Sequence, residues 1–133
     1  RLTDAEKQNL LKLLDIMPKG NSLCRGGFHA GNIQSDNETY TILDWAEVSV
    51  GPAALDACRT YIDYQYMGKY LMPEELAEQM AELYLKKYTA ASGISRGEIL
   101  AWLSLTAGAL YGYVQDEAAN QELYSLMQKG DRA

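Results

Sequence analysis

The chain contains the stretch Arg25-Gly26-Gly27-Phe28-His29-Ala30-Gly31-Asn32-Ile33, followed at a short distance by Tyr40-Thr41-Ile42-Leu43-Asp44-Trp45. The glycines of the first stretch are typical of a loop, whereas the second stretch has the composition of a short strand. Polar turn-forming residues lie between them, at positions 35–39. We therefore predict a small β-hairpin built from residues 32–34 and 40–44. A short strand at 22–24 is expected to enter the loop.

Helix signals lie on both sides of this hairpin. Capping boxes that begin at Thr3 and at Ser95 each predict a helix start, and Pro52 or Ala53 is the predicted first residue of another helix. The predicted helices span about 3–17, 53–70, 73–92, 95–114 and 117–128. The pattern indicates an α+β fold that is mainly helical, with five or six helices around one hairpin, in a single domain over residues 1–133.

The composition excludes several classes of protein. The chain has 133 residues, 47% of them hydrophobic, and a net charge of -6, which argues against a nucleic-acid-binding surface. Cys24 and Cys58 are too few for a disulfide framework and, with the single His29, too few for a zinc site. We expect both cysteines to be buried in a cytoplasmic protein. No apolar run reaches about 18 residues, so no membrane span is predicted.

Three segments taken together resemble the aminoglycoside phosphotransferase and choline kinase-like family. That family's loop usually reads His-Gly-Asp-Phe/Leu-His-Pro-Gly-Asn, its next strand Ile-Asp-Trp-Glu, and a third segment Gly-Asp-Pro-x-x-Asp-Leu-Ala. The matching segments here are residues 25–32, 42–47 and 51–61. The resemblance is close over residues 22–61. It implies the C-terminal lobe of a protein-kinase-like phosphotransferase, whose small β-hairpin carries the catalytic and metal-binding loops.

The resemblance also implies roles for individual residues. Asn32 and Asp44 would bind the nucleotide through Mg²⁺, which prefers hard oxygen ligands. Asp56 would brace the catalytic loop through its backbone and is expected to be structural, while His29 would help to shape the loop. Read from the residues alone, Asp44 is equally a turn residue at the end of a strand, Asn32 a turn residue after a glycine, and His29 a packing residue.

The loop departs from the family pattern at the position of the catalytic base. Gly27 stands there, five residues before Asn32, and it has no side chain to accept a proton. Arg25 replaces the family's His; it can attract phosphate oxygens, but a cation cannot act as the base at neutral pH. Ala30 replaces the family's Pro. No catalytic residue is therefore assigned, and His29 and Arg25 are neighbours of the base position.

The nucleotide site is expected to be incomplete in this chain. It contains no GxGxxG phosphate loop and begins at Arg1 rather than Met. We therefore expect a fragment in which the family's N-terminal nucleotide lobe is absent. In the family that lobe is this one's partner, and ATP and Mg²⁺ are the cofactors. Neither is expected to bind tightly to this chain alone.

Three interpretations remain open. The first is the substrate-binding lobe of an ATP-dependent kinase for a small polar or cationic molecule with a hydroxyl group, with little or no turnover here. The second is a non-catalytic binding module with a degenerate kinase fold, which Gly27 favours. The third is an unrelated helical domain with a coincidental loop. It predicts no hairpin between Ser22 and Asp44, and side chains of Asn32 and Asp44 that point apart.

Overall fold

A computed structural model describes residues 1–130 and shows an α+β fold that is mainly helical. The α-helices are α1 (Asp4–Ile16), α2 (Ala53–Gln65), α3 (Glu74–Ser92), α4 (Arg96–Leu100), α5 (Leu103–Leu110) and α6 (Glu117–Gly130). The strands are β1 (Ser22–Cys24), β2 (Ile33–Ser35), β3 (Tyr40–Ile42) and β4 (Ser49–Gly51). Two 3-10 turns occur, at Ala30–Asn32 and Gly68–Tyr70. The predicted hairpin is confirmed as β2 and β3.

The strands form two separate antiparallel pairs. In the first, β1 pairs with β4 so that Cys24 lies opposite Ser49; in the second, β2 pairs with β3 so that Ile33 lies opposite Ile42. Strand β4 was not predicted, since the sequence analysis placed its residues in a loop. Because β1 and β4 are paired, the two ends of the segment 25–48 lie next to each other.

The core lies between the helices, and α2 is central to it. Helix α2 packs against both α3 and α5, and α5 packs against α6. Ile62 of α2, Leu85 of α3 and Leu123 of α6 are each at most 1% exposed. Such complete burial of apolar side chains is the main source of stability in a domain of this size. The helix that carries several candidate site residues is therefore held firmly in place.

Two predicted helices are shorter than expected. Helix α2 ends at Gln65 rather than near Tyr70. There the carbonyl of Ile62 accepts from the amides of both Tyr66 (3.0 Å) and Met67 (3.1 Å), the second of them five residues on, and a separate 3-10 turn follows. The predicted helix 95–114 is divided into α4 and α5. Between them the amide of Trp102 bonds to the carbonyl of Ile99 (3.2 Å), three residues back rather than four.

The same segment also ends early, at Leu110 instead of Val114. The reason lies in Asn120 of α6, whose side-chain oxygen accepts a hydrogen bond from the amide of Gly112 (2.9 Å) and whose side-chain nitrogen donates to the carbonyl of Val114. These bonds replace helical ones, and Tyr111 accordingly has an extended ψ of 126°. A tertiary contact thus overrides the local helix signal.

Helix α1 begins as its capping box predicts. The Thr3 hydroxyl accepts from the amide of Glu6 (3.2 Å), and the Glu6 carboxylate accepts from the amide of Thr3 (2.7 Å). The apolar face of α1 is only partly covered, however. Its residues Leu11 and Leu14 are 52% and 43% exposed, and none of its residues is fully buried. The structure therefore leaves an open apolar surface beside this helix.

Two further expectations concern the cysteines and the membrane. Cys24 and Cys58 are both buried and free, as predicted. Burial raises the pKa of the Cys58 thiol to about 12, so this side chain is a weak nucleophile at neutral pH. Over residues 1–130, none of the helices combines the length and the apolar character that crossing a membrane requires.

Candidate functional site

The Arg25–Asn32 loop is held to the end of β3 by a buried arginine. The Arg25 side chain donates from Nε (3.1 Å) and Nη2 to the carbonyl of Leu43, and from Nη1 to the carbonyl of Gly26 (2.7 Å). Its guanidinium carbon lies 6.0 Å from the centre of the Trp45 ring, and the residue is only 5% exposed. Three of the five N–H groups of this buried side chain therefore donate to backbone carbonyls, and the attraction of phosphate oxygens by Arg25 stays a prediction.

The loop is held from the other side by Asp56, in the first turn of α2. Its two carboxylate oxygens accept hydrogen bonds from the backbone amides of Arg25 (3.0 Å) and Gly26 (2.8 Å). Charged acceptors make stronger hydrogen bonds than neutral ones, and each amide here would otherwise have to find water. Asp56 thus connects the loop to the most deeply buried helix of the molecule.

His29 and Asn32 shape the remainder of the loop from within. His29 precedes the 3-10 turn, and its Nδ1 accepts from the amide of Gly31 (3.2 Å). The side-chain nitrogen of Asn32 donates to the carbonyl of Gly27 (2.9 Å) and lies 3.3 Å from Nε2 of His29. On α2, the hydroxyl of Tyr64 accepts from the amide of Ala30 (2.8 Å). Because the side-chain nitrogen of Asn32 is engaged in this way, the side-chain oxygen of Asn32 is the group that remains for a ligand.

The two residues nominated as metal ligands lie at the same end of the hairpin. The amide of Leu43 donates to the carbonyl of Asn32 (2.8 Å), which continues the β2–β3 ladder by one step and places Asp44 directly after it. Asp44 has a left-handed backbone (φ 57°) and an exposed side chain, whose Oδ1 accepts a long bond from the amide of Ala46 (3.5 Å). The coincidental-loop interpretation predicted no hairpin here and is wrong on that point, while its prediction that the Asn32 and Asp44 side chains point apart stays a prediction.

The carboxylate of Glu47 lies against the base position. A Cβ placed on Gly27 would be 3.7 Å from Oε2 of Glu47, and one placed on Gly26 would be only 3.0 Å from the Glu47 Cβ. Both glycines have positive φ, 68° at Gly26 and 38° at Gly27, a conformation that glycine adopts without strain. The paired glycines therefore leave the space in which Glu47 lies against the loop.

Glu47 belongs to a chain of charged groups that ends in the protein interior. Its Oε2 lies 3.6 Å from Nη1 of Arg59, whose Nε lies 3.3 Å from Oδ1 of Asp63. Burial raises the pKa of the Asp63 carboxyl above its ordinary value, although Arg59 opposes the change. The other oxygen of Asp63 has no hydrogen-bond partner among the described residues. The spacing of Asp56, Arg59 and Asp63 on one helix face was the signal that could have revealed this group.

The side chains of Asn32 and Asp44 bear on whether a metal ion could be held here. Among residues 1–130, no group of three or more His, Cys, Asp or Glu side chains is arranged to hold a metal ion. Mg²⁺, however, commonly takes only one or two protein ligands and completes its shell with phosphates and water. The amide oxygen of Asn32 and the carboxylate of Asp44 are of the right chemical type for that. In chemical type, these two side chains therefore fit a Mg²⁺ ion that arrives with a phosphate ligand.

Comparison with known proteins adds no assignment. No family model, no curated protein and no solved structure matches the chain.

We predict that Asp63→Asn changes how stability depends on pH. The folded pKa of Asp63 is raised above the ordinary value of 3.8, so its contribution to stability is full below that value and is lost as pH rises through the folded pKa. Asparagine does not titrate. The stability of Asp63→Asn relative to the natural protein should therefore increase between about pH 4 and neutrality, in urea unfolding across that range.

Asp15→Asn, on the exposed side of α1, is the matched control for this measurement and should show no comparable trend. A relative stability of Asp63→Asn that falls as pH rises would mean that attraction to Arg59 outweighs burial, and would contradict the prediction.

Proposed function

We propose that this chain is the C-terminal, substrate-binding lobe of an ATP-dependent small-molecule phosphotransferase of the aminoglycoside phosphotransferase and choline kinase-like type. One observation carries the proposal. The bond from the Leu43 amide to the Asn32 carbonyl leaves Asp44 one residue beyond the partner of Asn32, so both residues belong to the same end of the hairpin, next to a loop that Asp56 holds in place. A loop and a strand end that offer these two oxygen ligands suit the positioning of a phosphate-bound Mg²⁺.

In such a lobe, each residue of the candidate site would have a separate role. Asn32 and Asp44 would hold Mg²⁺, which when bound neutralises charge on the nucleotide phosphates. Asp56 and Arg25 fix the loop between α2 and β3, and His29 orders its last turn. Gly27 cannot take a proton from an acceptor hydroxyl. Loss of a general base typically lowers the rate by about 10²- to 10⁴-fold, so transfer is impaired and this chain alone is expected to show little or no turnover.

A non-catalytic binding module is the alternative, and a specific observation favours it. Gly27 is buried, and the space beside it is bordered by Arg25, Glu47 and Arg59 rather than open to an acceptor. A module that has lost its chemistry needs neither metal ligand. Binding of Mg²⁺ at Asn32 and Asp44 therefore distinguishes the two functions.

The test is a titration of the ¹⁵N-labelled chain with MgCl₂, followed by amide chemical shifts. We expect shifts near Asn32 and Asp44 with a Kd in the millimolar range, as befits two protein ligands without phosphate. Asp44→Asn should abolish them, whereas Asp36→Asn, an exposed aspartate in the β2–β3 turn, should not. Absence of shifts at both positions would overturn the proposed phosphotransferase site and favour the binding module.

Calorimetry with Mg-ATP completes the test. The chain should bind it no more tightly than about 1 mM, since no phosphate-binding glycine loop is present in its sequence. Micromolar affinity would contradict the claim that the nucleotide site is incomplete.

A further inference from the structure

The base position at Gly27 is bordered by charged side chains. A Cβ placed on Gly27 would lie 3.7 Å from Oε2 of Glu47, with Nη1 of Arg25 at 3.6 Å and Nη2 of Arg59 at 3.9 Å. Bond lengths place the carboxylate oxygens of an aspartate roughly 2.4 Å from its own Cβ. The Glu47 oxygen is therefore only about one bond length further from this point than the oxygens of a base Asp would be. A carboxylate stands at the base position, although residue 47 supplies it.

The neighbouring glycine makes this approach possible. A Cβ placed on Gly26 would lie 3.0 Å from the Cβ of Glu47 and 3.2 Å from its Oε2, which is closer than such atoms usually pack. A side chain at this position would press on Glu47 and displace it from the loop. The φ of 68° at Gly26 also suits a residue without a side chain. The glycine pair that removes the base from position 27 therefore also admits Glu47.

Arg59 holds the Glu47 carboxylate in this place. Its Nη1 lies 3.6 Å from Oε2 of Glu47, and its Nε lies 3.3 Å from Oδ1 of Asp63. The side chains of Arg59 and Asp63 are 26% and 16% exposed, and both residues belong to α2. One guanidinium thus links Glu47 to the central helix, and the attraction between opposite charges favours a carboxylate that stays beside the loop.

Glu47 can be reached from outside although Gly27 is buried. Its side chain is 63% exposed and, together with Arg59, borders an open groove between α1 and α5. An ionised carboxylate can only accept hydrogen bonds, so a hydroxyl group that enters from this groove would donate to Glu47. Lys7 and Asp56 also line the groove, so its charges balance and favour neither anions nor cations.

We propose that Glu47 supplies the carboxylate that Gly27 lacks and takes the proton of an acceptor hydroxyl. The inference rests on the proposed function and deepens it, because it assigns the base of that reaction to a residue outside the loop. The proton would pass to a carboxylate oxygen of Glu47 while the hydroxyl oxygen bonds to the terminal phosphorus of a nucleoside triphosphate. The bond from that phosphorus to the diphosphate breaks, its electron pair leaves with the diphosphate, and Glu47 returns the proton to water. The rate loss attributed to Gly27 would thereby be partly offset.

The first test asks whether Glu47 occupies the place of a base carboxylate, and it needs no turnover. Gly27→Asp and its uncharged counterpart Gly27→Asn are compared by urea unfolding at pH 7 and low salt, each with and without Glu47→Gln. Two carboxylates in one place repel each other. We expect the ratio of the unfolding constants, Gly27→Asp over Gly27→Asn, to be at least about threefold higher with Glu47 present than with Glu47→Gln. The exposed Glu38→Gln is the control and should leave this ratio unchanged.

The second test asks whether this carboxylate receives a hydroxyl group. Crystals of the full chain are soaked in ethylene glycol, a neutral diol. We expect a diol oxygen at about 2.6–3.2 Å from a carboxylate oxygen of Glu47, the distance required of a general base. Crystals of Glu47→Ala should lack this diol, whereas crystals of Glu38→Ala should retain it.

Several results would overturn the inference. One is the same ratio of unfolding constants in both backgrounds, and another is a Glu47 carboxylate turned away from Gly27 in the crystals. A diol that binds in the same place in Glu47→Ala would be an adventitious additive only. Each of these would leave the Mg²⁺ titration at Asn32 and Asp44 unaffected, and so the proposed function intact. Conversely, repulsion at Gly27 without any Mg²⁺ shifts would overturn the base role together with the proposed function.

Discussion

Asp56→Ala is expected to lower the free energy of unfolding by about 3 kcal/mol, because it removes the acceptor of two backbone amides at once. The amides of Arg25 and Gly26 donate to the two oxygens of this carboxylate, and Arg25 is only 5% exposed. Water cannot easily replace the lost acceptor there, so part of the cost is an amide left without a partner. Urea unfolding at pH 7 measures the loss, and amide shifts at Gly26 and Asn32 should report that the loop has moved.

The matched control is Asp36→Ala. Asp36 also accepts from two backbone amides, those of Glu38 and Thr39, but it does so in an exposed turn within three residues of itself. Water can replace that acceptor, and the expected loss is below about 1 kcal/mol. Equal losses for the two variants would contradict the view that Asp56 holds the loop to α2.

Ile62→Ala is expected to lower the free energy of unfolding by about 3 to 4 kcal/mol, through lost burial and the cavity that remains. Ile62 is 0% exposed in the middle of α2, and that helix carries Asp56, Arg59 and Asp63. The variant therefore tests whether core packing fixes the helix that positions the candidate site. Thermal and urea unfolding should both show the loss, with an unchanged dependence on urea concentration if the unfolded state is the same.

Ile16→Ala is the control for that substitution, because it removes the same atoms from a residue that is 79% exposed at the end of α1. Its effect should lie within about 0.5 kcal/mol of zero. A loss at Ile62 no greater than that at Ile16 would mean that α2 is held by something other than its buried side chains.

The parts of the fold that the sequence predicted well depend on nearby residues. The capping boxes at Thr3 and Ser95 close through hydrogen bonds over three residues, and the polar turn between β2 and β3 likewise determines a local hairpin. Strand β4 and the division at Trp102 depend on residues further away or on the packing of the whole chain. Strand β4 exists because β1 lies beside it, twenty-five or more residues earlier, and a run of three residues carries too little pattern to reveal that.

In the candidate site, too, some features could be predicted from the sequence and others depend on residues far apart in the chain. The family resemblance nominated Asn32, Asp44 and Asp56; in the structure Asp56 bonds to the loop and the other two lie at the end of the adjoining hairpin. The sequence could not show that Glu47 lies against Gly26, since that contact depends on the path of the chain between β3 and β4. Nor could it show that the Arg25 donors are engaged by backbone carbonyls. Three-dimensional proximity, rather than spacing, decides those features.

The pairing of β1 with β4 has a consequence for how the molecule can diverge. Because these strands secure both ends of the excursion at residues 25–48, and the Leu43–Asn32 bond secures its middle, the turn at 36–39 lies beyond every fixed point. Lengthening an exposed turn costs little, about 0.6 kcal/mol for each doubling. Insertions there would therefore leave the positions of Asn32 and Asp44 intact, and this tip is where related chains are free to acquire extra residues.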